Sequence, residues 1–526
     1  MKSPNILFIM ADQLAASALA AYGHKLVKTP NLDRIAARGT VFESAYSPNP
    51  ICASSRFAMM AGQASSRIGA FDNAAELPAS VPTFAHYLRG LGYDTCLSGK
   101  MHFVGPDQLH GFEERVTTDI YPADFGWTAD WERRVEPYAP SQMSMRGIVE
   151  SGLCVRSLQM DYDDDVAHQS VQWLYDHARR PEGHPFLLVA SFSHPHNPFT
   201  ISREYWDLYD HDQIEMPTVP FIPYAQRDPW SQRYFKLIRQ DEHRVTDEMI
   251  LSARHAYYGM VSYVDHKIGL LLDALEKTGH ADDTVIVFTA DHGEMLGERG
   301  MWFKFNPYEQ SIKVPLIIQA PGACVGQRVG ANCSLVDLLP TLVDLATEGR
   351  PPALVDHCDG HSLSALLHGG DPGRADEALI EFTGEGVYAP ALILRQGRYK
   401  YVCCEGDPGM MFDLQDDPSE LRNLCQDAAF ASTAQRFVVQ IEQRFKPAQI
   451  KQQVLASQRR RLFLHATLTQ GAYTPWDYQV RRDASKQYVR SVSTTSTTAT
   501  KAKARYPFVP SVPPDTPRAT GKSAGK

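Results

Sequence analysis

The stretch DTVIVFTADHG (residues 283–293) decides the fold. Val285, Ile286, Val287 and Phe288 follow one another without the polar alternation of a strand that has one wet face, and an Asp-His-Gly turn closes the run. A short, uninterrupted apolar run bounded by turn residues predicts a strand covered on both sides. Three further runs share this texture: NILFIM (residues 5–10), PFLLVASF (185–192) and VPLIIQAPG (314–322). Helical stretches such as residues 31–38 lie between them. The alternation predicts an α/β fold with a mixed, largely parallel sheet flanked by helices. In such sheets ligands bind outside the carboxyl ends of the strands. Asp12, His194, His196, Asp291 and His292 all fall just past such an end.

The chain has 526 residues, too many for one hydrophobic core. From about residue 378 the texture shifts to short strands separated by Gly and Pro turns, which predicts a small antiparallel sheet. The expected division is a catalytic domain over 1–375, a C-terminal α+β subdomain over 376–449 closed by a helix at 428–445, and a tail over 450–526. Within that tail, SVSTTSTTATKAKAR (491–505) has the composition of a flexible segment. A net charge of -9 argues against a nucleic-acid partner. No apolar run reaches the length of a membrane span, and the apolar N-terminal run is short for a signal peptide. Nine cysteines without regular spacing describe no disulfide framework, so a reducing, cytoplasmic setting is expected.

Asp12, Asp291 and His292 at strand ends, with Cys52 and Arg56 in PNPICASSRFAMMAG (residues 48–62), offer ligands for a divalent cation. Singly, each has a bland alternative: an Asp after a strand is commonly a cap or turn residue. A second, cationic layer comes from Lys100 and His102, from His194 and His196, and from Lys304. Lys304 lies among Met301, Trp302, Phe303 and Phe305, an unusual setting for a solvated ammonium. Gathered around one metal, these groups would hold a tetrahedral anion. The helix after Cys52 would add its N-terminal amides.

These motifs carry a resemblance. PNILFIMADQ (4–13), TPNLDRIAARGTVFESAYSPNPICASSR (29–56), GYDTCLSGKMHF (92–103), TADHGEMLGERG (289–300), KVPLIIQAPG (313–322) and MFDLQDDPSELRNL (411–424) follow one another as in type I sulfatases of the alkaline phosphatase superfamily. AGQASSRIGAFDNAAELP (61–78), IYPADFGWT (120–128), QMDYDDDVA (159–167), RRRLFLH (459–465) and WDYQVRRDASKQYVR (476–490) resemble the choline sulfatase branch. The resemblance implies that a maturation enzyme oxidises Cys52 to formylglycine, whose hydrate attacks sulfur, and that Arg56 holds that hydrate. It implies Asp12, Cys52, Asp291 and His292 as ligands of one divalent ion, Ca2+ first, with Mg2+ or Mn2+ as alternatives. Lys100, Lys304 and His196 would contact the sulfate ester, with His194 as the alternative to His196. His196 or Lys304 would protonate the leaving oxygen, His102 would stand near the hydrate, and Asn73 matches a sulfate-binding asparagine.

The chain departs from the common pattern in three places. A single aspartate, Asp12, follows the first strand where many sulfatases have two; His292 replaces a frequent asparagine; and Ser54 stands where proline is commonest. A quaternary ammonium needs an aromatic cage. Tyr121, Phe125, Trp127, Trp131 and Tyr138 supply aromatics, with Trp127 the selected ring. The segment EPYAPSQMSMRGIVESG (136–152) stands where choline sulfatases carry Trp, His and Asn. Another small sulfate ester therefore remains an alternative substrate. Asp477 either gives a carboxylate to the substrate cation of a neighbouring subunit, in a dimer or tetramer built through the tail, or caps a turn. The competing readings are a phosphonate or phosphate ester hydrolase on the same scaffold and a non-catalytic binding module.

Overall fold

The computed structural model describes residues 3–133, 143–180, 183–370, 373–473 and 475–480. Tyr138 and the Ser/Thr-rich tail lie outside these residues. The central sheet takes strands β1 (Asn5–Ala11), β2 (Thr40–Tyr46), β3 (Asp94–Gly99), β4 (Glu114–Arg115), β5 (Phe186–Phe192), β6 (Thr284–Ala290), β7 (Lys313–Val314), β8 (Leu316–Gln319) and β9 (Gln327–Ser334). Their order is β9-β2-β8-β6-β1-β5-β3-β4, with β7 paired to β2. Only β7 and β8 run antiparallel to their neighbours in this sheet. Every residue of β1, β5 and β6 is buried, which is why these strands read as unbroken apolar runs.

Two groups of helices cover the sheet. α1 (Pro30–Arg38), α4 (Leu158–Ala178) and α5 (Asp247–Thr278) pack together, as do α2 (Cys52–Ala61), α3 (Phe84–Gly90) and α6 (Leu338–Ala346). A separate antiparallel sheet of β10 (Glu377–Phe382), β11 (Ala391–Gln396), β12 (Tyr399–Cys404) and β13 (Met410–Asp413) follows. α7 (Ala431–Phe445) packs Phe437 and Ile441 against Leu392, Leu394 and Tyr401 of that sheet. The sequence predicts a helix from 428; instead a 3-10 turn, Ala428–Phe430, capped by the Asp427 side chain, comes first. α8 (Pro447–Leu468) starts immediately afterwards, ahead of the expected tail boundary.

Register places the site. Ala11 pairs with Ala290 on one side and Phe192 on the other, and Gly99 pairs with Ser191. The parallel strands thus end level, and Asp12, Asp291, Ser193 and Lys100 emerge in one row. Gly99 is required there: at φ +103° a Cβ would sit 1.9 Å from the Ser191 carbonyl oxygen.

Candidate active site

Cys52 is the first residue of α2, a helix buried along its whole length. Ile51 before it offers no side-chain cap. The cap comes from elsewhere: Asn73 Oδ1 accepts from the Ala53 N–H at 3.1 Å. Residue 52 thus stands at the positive end of the helix dipole, which favours negative charge there.

One ligand atom each from Asp12, Cys52, Asp291 and His292 lies within 4.8 Å of the others, all buried. Cys52 Sγ is 3.1 Å from His292 Nε2 and 3.9 Å from Asp12 Oδ1. Two carboxylates, an imidazole and a sulfur-bearing residue, all buried and converging, fit a divalent ion, and the oxygens favour a hard one. Arg56 locks the carboxylates: its Nε donates to Asp291 Oδ2 at 2.8 Å and its second amino group lies 3.5 Å from Asp12 Oδ2. It also donates to the Ser191 hydroxyl at 2.9 Å and to the Lys100 carbonyl. Removing Arg56 would take its charged partner from buried Asp291 and one of two from buried Asp12, at a cost of about 3–5 kcal/mol.

Lys100 and Lys304 both approach this cluster. Lys100 Nζ donates to Asp12 Oδ2 and sits 4.1 Å from the centre of the Tyr121 ring. Lys304 Nζ donates to Gln13 Oε1 at 2.6 Å, His196 Nε2 at 2.8 Å and Cys52 Sγ at 3.3 Å. All three ammonium hydrogens therefore have acceptors. Burial alone would raise the Cys52 pKa, but Lys100, Lys304 and His292 hold it well below the usual thiol value. Asp12 is likewise pushed up by burial and by Cys52, yet ends low because Lys100, His196 and Arg56 surround it. His196 is held below its ordinary pKa by burial and then by Lys304. His102 stands against the thiol, contributing to its lowered pKa, and its ring contacts Tyr121 and Trp127 at 5.1 and 5.7 Å between centres.

His194 is not brought into this cluster. Its Nδ1 pairs with Asp163 at 2.6 Å and its ring packs on Tyr263. Trp127 is half-buried beside Tyr121, at 5.2 Å between ring centres. Asp477 meets its own chain, where Oδ1 accepts from the Ala123 N–H at 3.3 Å. Trp131 lies deeper: its Nε1 donates to the Gly384 carbonyl and its backbone N–H to Gln458 of α8.

A sulfatase family model matches residues 4–348, two further models match the C-terminal regions of choline sulfatase (452–506) and N-sulphoglucosamine sulphohydrolase (297–447), and a choline-sulfatase of Rhizobium meliloti is 42% identical over 93% of this chain and 96% of its own length. The chain belongs to the sulfatase family. It is a sulfuric ester hydrolase by that membership. An arylsulfatase of Clostridium perfringens is 28% identical over 80% of this sulfatase and 90% of its own length. Among solved structures, the phosphonate monoester hydrolase of Agrobacterium radiobacter aligns with TM-score 0.67 and 25% identity, covering 86% of this chain and 96% of that one.

Two groups of residues escaped the sequence reading, the first of them in this sulfatase's site. Gln13, at φ 61°, donates its backbone N–H to Asp291 Oδ1, accepts from Lys304 and donates to Glu294 Oε2 at 2.6 Å. Glu294 has its carboxyl pKa raised by burial to about 7. Both adjoin motif residues, so adjacency was the available signal. Glu385 is the second. It lies in the loop after β10, next to Gly384, whose backbone abuts Ile51. Burial, then Asp72, pushes its carboxyl up to about 8, and its Oε2 is buried without a hydrogen-bond partner. Asp72 itself is claimed by Arg461 of α8 at 2.5 and 2.9 Å. Nothing local in TGEGVY distinguishes Glu385 from a turn residue.

Proposed function

We propose that the protein hydrolyses choline sulfate to choline and sulfate. The observation that carries this reading is the acidified residue 52 at a helix N-terminus, set between two buried lysines and a divalent-ion donor set. Asp12, Asp291, His292 and residue 52 would hold the ion, Ca2+ first, with Mg2+ or Mn2+ as alternatives. When bound, the ion supplies charge neutralisation and acidifies its ligands. Cys52, matured to formylglycine by a dedicated enzyme, supplies the attacking oxygen.

The chain's own residues do the rest. Lys100 and Lys304 take the anionic sulfonate between them, replacing the water it gives up. Asn73 holds the first turn of α2 open toward the sulfur. Lys304 carries a proton on Nζ, and His196 Nε2, which accepts from it, directs that ammonium toward the leaving oxygen. His102 stands beside residue 52 as base or orienter. Tyr121 presents its ring to Lys100, so Trp127 is the ring free for the trimethylammonium group. Glu385 supplies the neighbouring carboxylate.

Sulfate release from choline sulfate, measured against a panel including aryl sulfates and a phosphonate monoester, tests the reading. Choline sulfate should have the highest kcat/KM; preference for the phosphonate would favour the activity named for the structural neighbour. The head-group assignment makes its own prediction. Trp127→Ala and Glu385→Gln should each raise KM for choline sulfate about 10-fold while moving KM for 4-nitrophenyl sulfate less than about 2-fold. Equal shifts on both esters would remove the cage.

A pH dependence follows from Glu385. Its carboxyl, raised to about 8, is largely protonated in the free protein at neutral pH. A cationic substrate favours the ionised form and so drives a proton off on binding. Affinity for choline sulfate should therefore rise as pH increases from about 6.5 to 8.5 and then level, with no such rise for 4-nitrophenyl sulfate or in Glu385→Gln. KM for choline sulfate that is flat, or that worsens across this window, would contradict the assignment.

A further inference from the structure

The motif QMDYDDDVA (residues 159–167) has no part in the chemistry above, yet two of its side chains grip the loop that carries His196. Gln159 and Asp163 lie one turn apart on α4, and so on one face. Asp163 is fully buried and accepts three N–H groups: Ser193 N at 2.7 Å, His194 N at 2.9 Å and His194 Nδ1 at 2.6 Å. Gln159 donates its Nε2 to the His196 carbonyl at 3.0 Å and to the Asn197 carbonyl at 3.2 Å. Both targets are carbonyl oxygens, so the amide nitrogen must face them.

The Asn197 carbonyl has a second donor. His196 Nδ1 lies 2.7 Å from it. A carbonyl oxygen only accepts, so Nδ1 carries the hydrogen. Nε2 then keeps its lone pair, and that lone pair faces the Lys304 ammonium at 2.8 Å. The Asn197 carbonyl, fixed by Gln159, thus sets the tautomer of the imidazole that directs Lys304 and, with the Tyr121 hydroxyl 3.2 Å from Nδ1, its orientation. A further side-chain contact of the loop, Gln13 Nε2 to Asn197 Oδ1 at 3.2 Å, holds the side chain of Asn197 and leaves its carbonyl to Gln159 and His196.

We infer that Gln159 and Asp163 are positioning residues for the leaving-group end of the reaction: they clasp residues 193–197 so that His196 presents an unprotonated Nε2 to Lys304. His194 belongs to the same device, as the ring through which Asp163 holds the loop. The inference rests on the functional reading in one respect, that the His196–Lys304 pair serves the leaving oxygen.

Two measurements on the full-length protein separate these. In the first, histidine ring nitrogens are observed by long-range 1H–15N correlation with labelled histidine, the His196 signal being identified by its loss in His196→Ala. The wild type should show His196 as the Nδ1–H tautomer, and Gln159→Leu should shift it toward a mixture. In the second, kcat is compared on choline sulfate, whose alkoxide needs a proton, and on 4-nitrophenyl sulfate, whose phenolate does not. Gln159→Leu should lower kcat on choline sulfate about 10- to 100-fold with KM changed less than about 3-fold, and kcat on the nitrophenyl ester less than about 3-fold. Asp163→Asn should act in the same direction, and if it fails to fold, Gln159→Leu alone decides. An unchanged tautomer overturns the clasp. A shifted tautomer with equal losses on both esters keeps the clasp's structural half and refutes its link to the leaving oxygen. A wild type inactive on both esters refutes the functional reading, and the tautomer measurement still reads the clasp.

Discussion

Cys52→Ala abolishes sulfate release while leaving the fold intact. The side chain is small and buried at the head of a helix whose other residues stay packed, so truncation to alanine removes little volume and no structural hydrogen bond of the backbone. Turnover should fall by at least about 1,000-fold, because removal of a nucleophile leaves only binding and electrostatic contributions. Thermal unfolding and circular dichroism should match the wild type. Cys52→Ser sharpens the test. A hydroxyl there can take the sulfonyl group once, forming an O–S bond as the ester's alcohol departs. It has no second oxygen on the same carbon with which to expel sulfate. One equivalent of sulfated protein should accumulate, detectable as a stable mass increase on the peptide spanning residue 52. Continuous turnover by either variant, at more than a few per cent of wild type, would show that residue 52 is not the nucleophile.

Lys304→Ala should cost nearly as much, and unevenly. Its ammonium is shared among Gln13, His196 and Cys52 and is almost fully buried. Loss of the charge removes both an anion contact and the nearest proton to the leaving oxygen. On choline sulfate kcat should fall about 1,000-fold or more, since general-acid help and electrostatic stabilisation each contribute on the order of 100-fold or more. On 4-nitrophenyl sulfate only the second contribution is lost, so the fall should be about 10- to 100-fold smaller. Steady-state kinetics on both esters reads the difference. Falls of equal size would confine Lys304 to binding and pass the acid role to His196.

Much of the scaffold was legible because burial leaves a direct trace in composition. β1, β5 and β6 are covered on both faces, their residues are uniformly apolar, and the first polar residues after them mark the carboxyl edge. Asp12 and Asp291 could be picked out on that ground, and strand register then brought them together. The choice between His194 and His196 could not be read this way. Both follow β5, separated by a proline, and the residue that sorts them is Asp163, on a helix some thirty positions earlier. The start of α7 was misplaced by three residues because Asp427 caps a 3-10 turn, which has the same local signature as a helix start. Glu385 was invisible for a different reason: it is set apart by a buried Oε2 without a hydrogen-bond partner, and only the three-dimensional placement of Arg461 on Asp72 reveals that the nearby cation is already taken.

The account depends on residue 52 being an aldehyde in working enzyme. Mass spectrometry of the proteolytic peptide containing position 52, taken from a preparation whose sulfate release has been measured, tests this directly. The fraction of peptide carrying a formyl group in place of the CH2SH side chain should track specific activity from one preparation to the next. Full activity in a preparation whose peptide retains its sulfur would contradict the account.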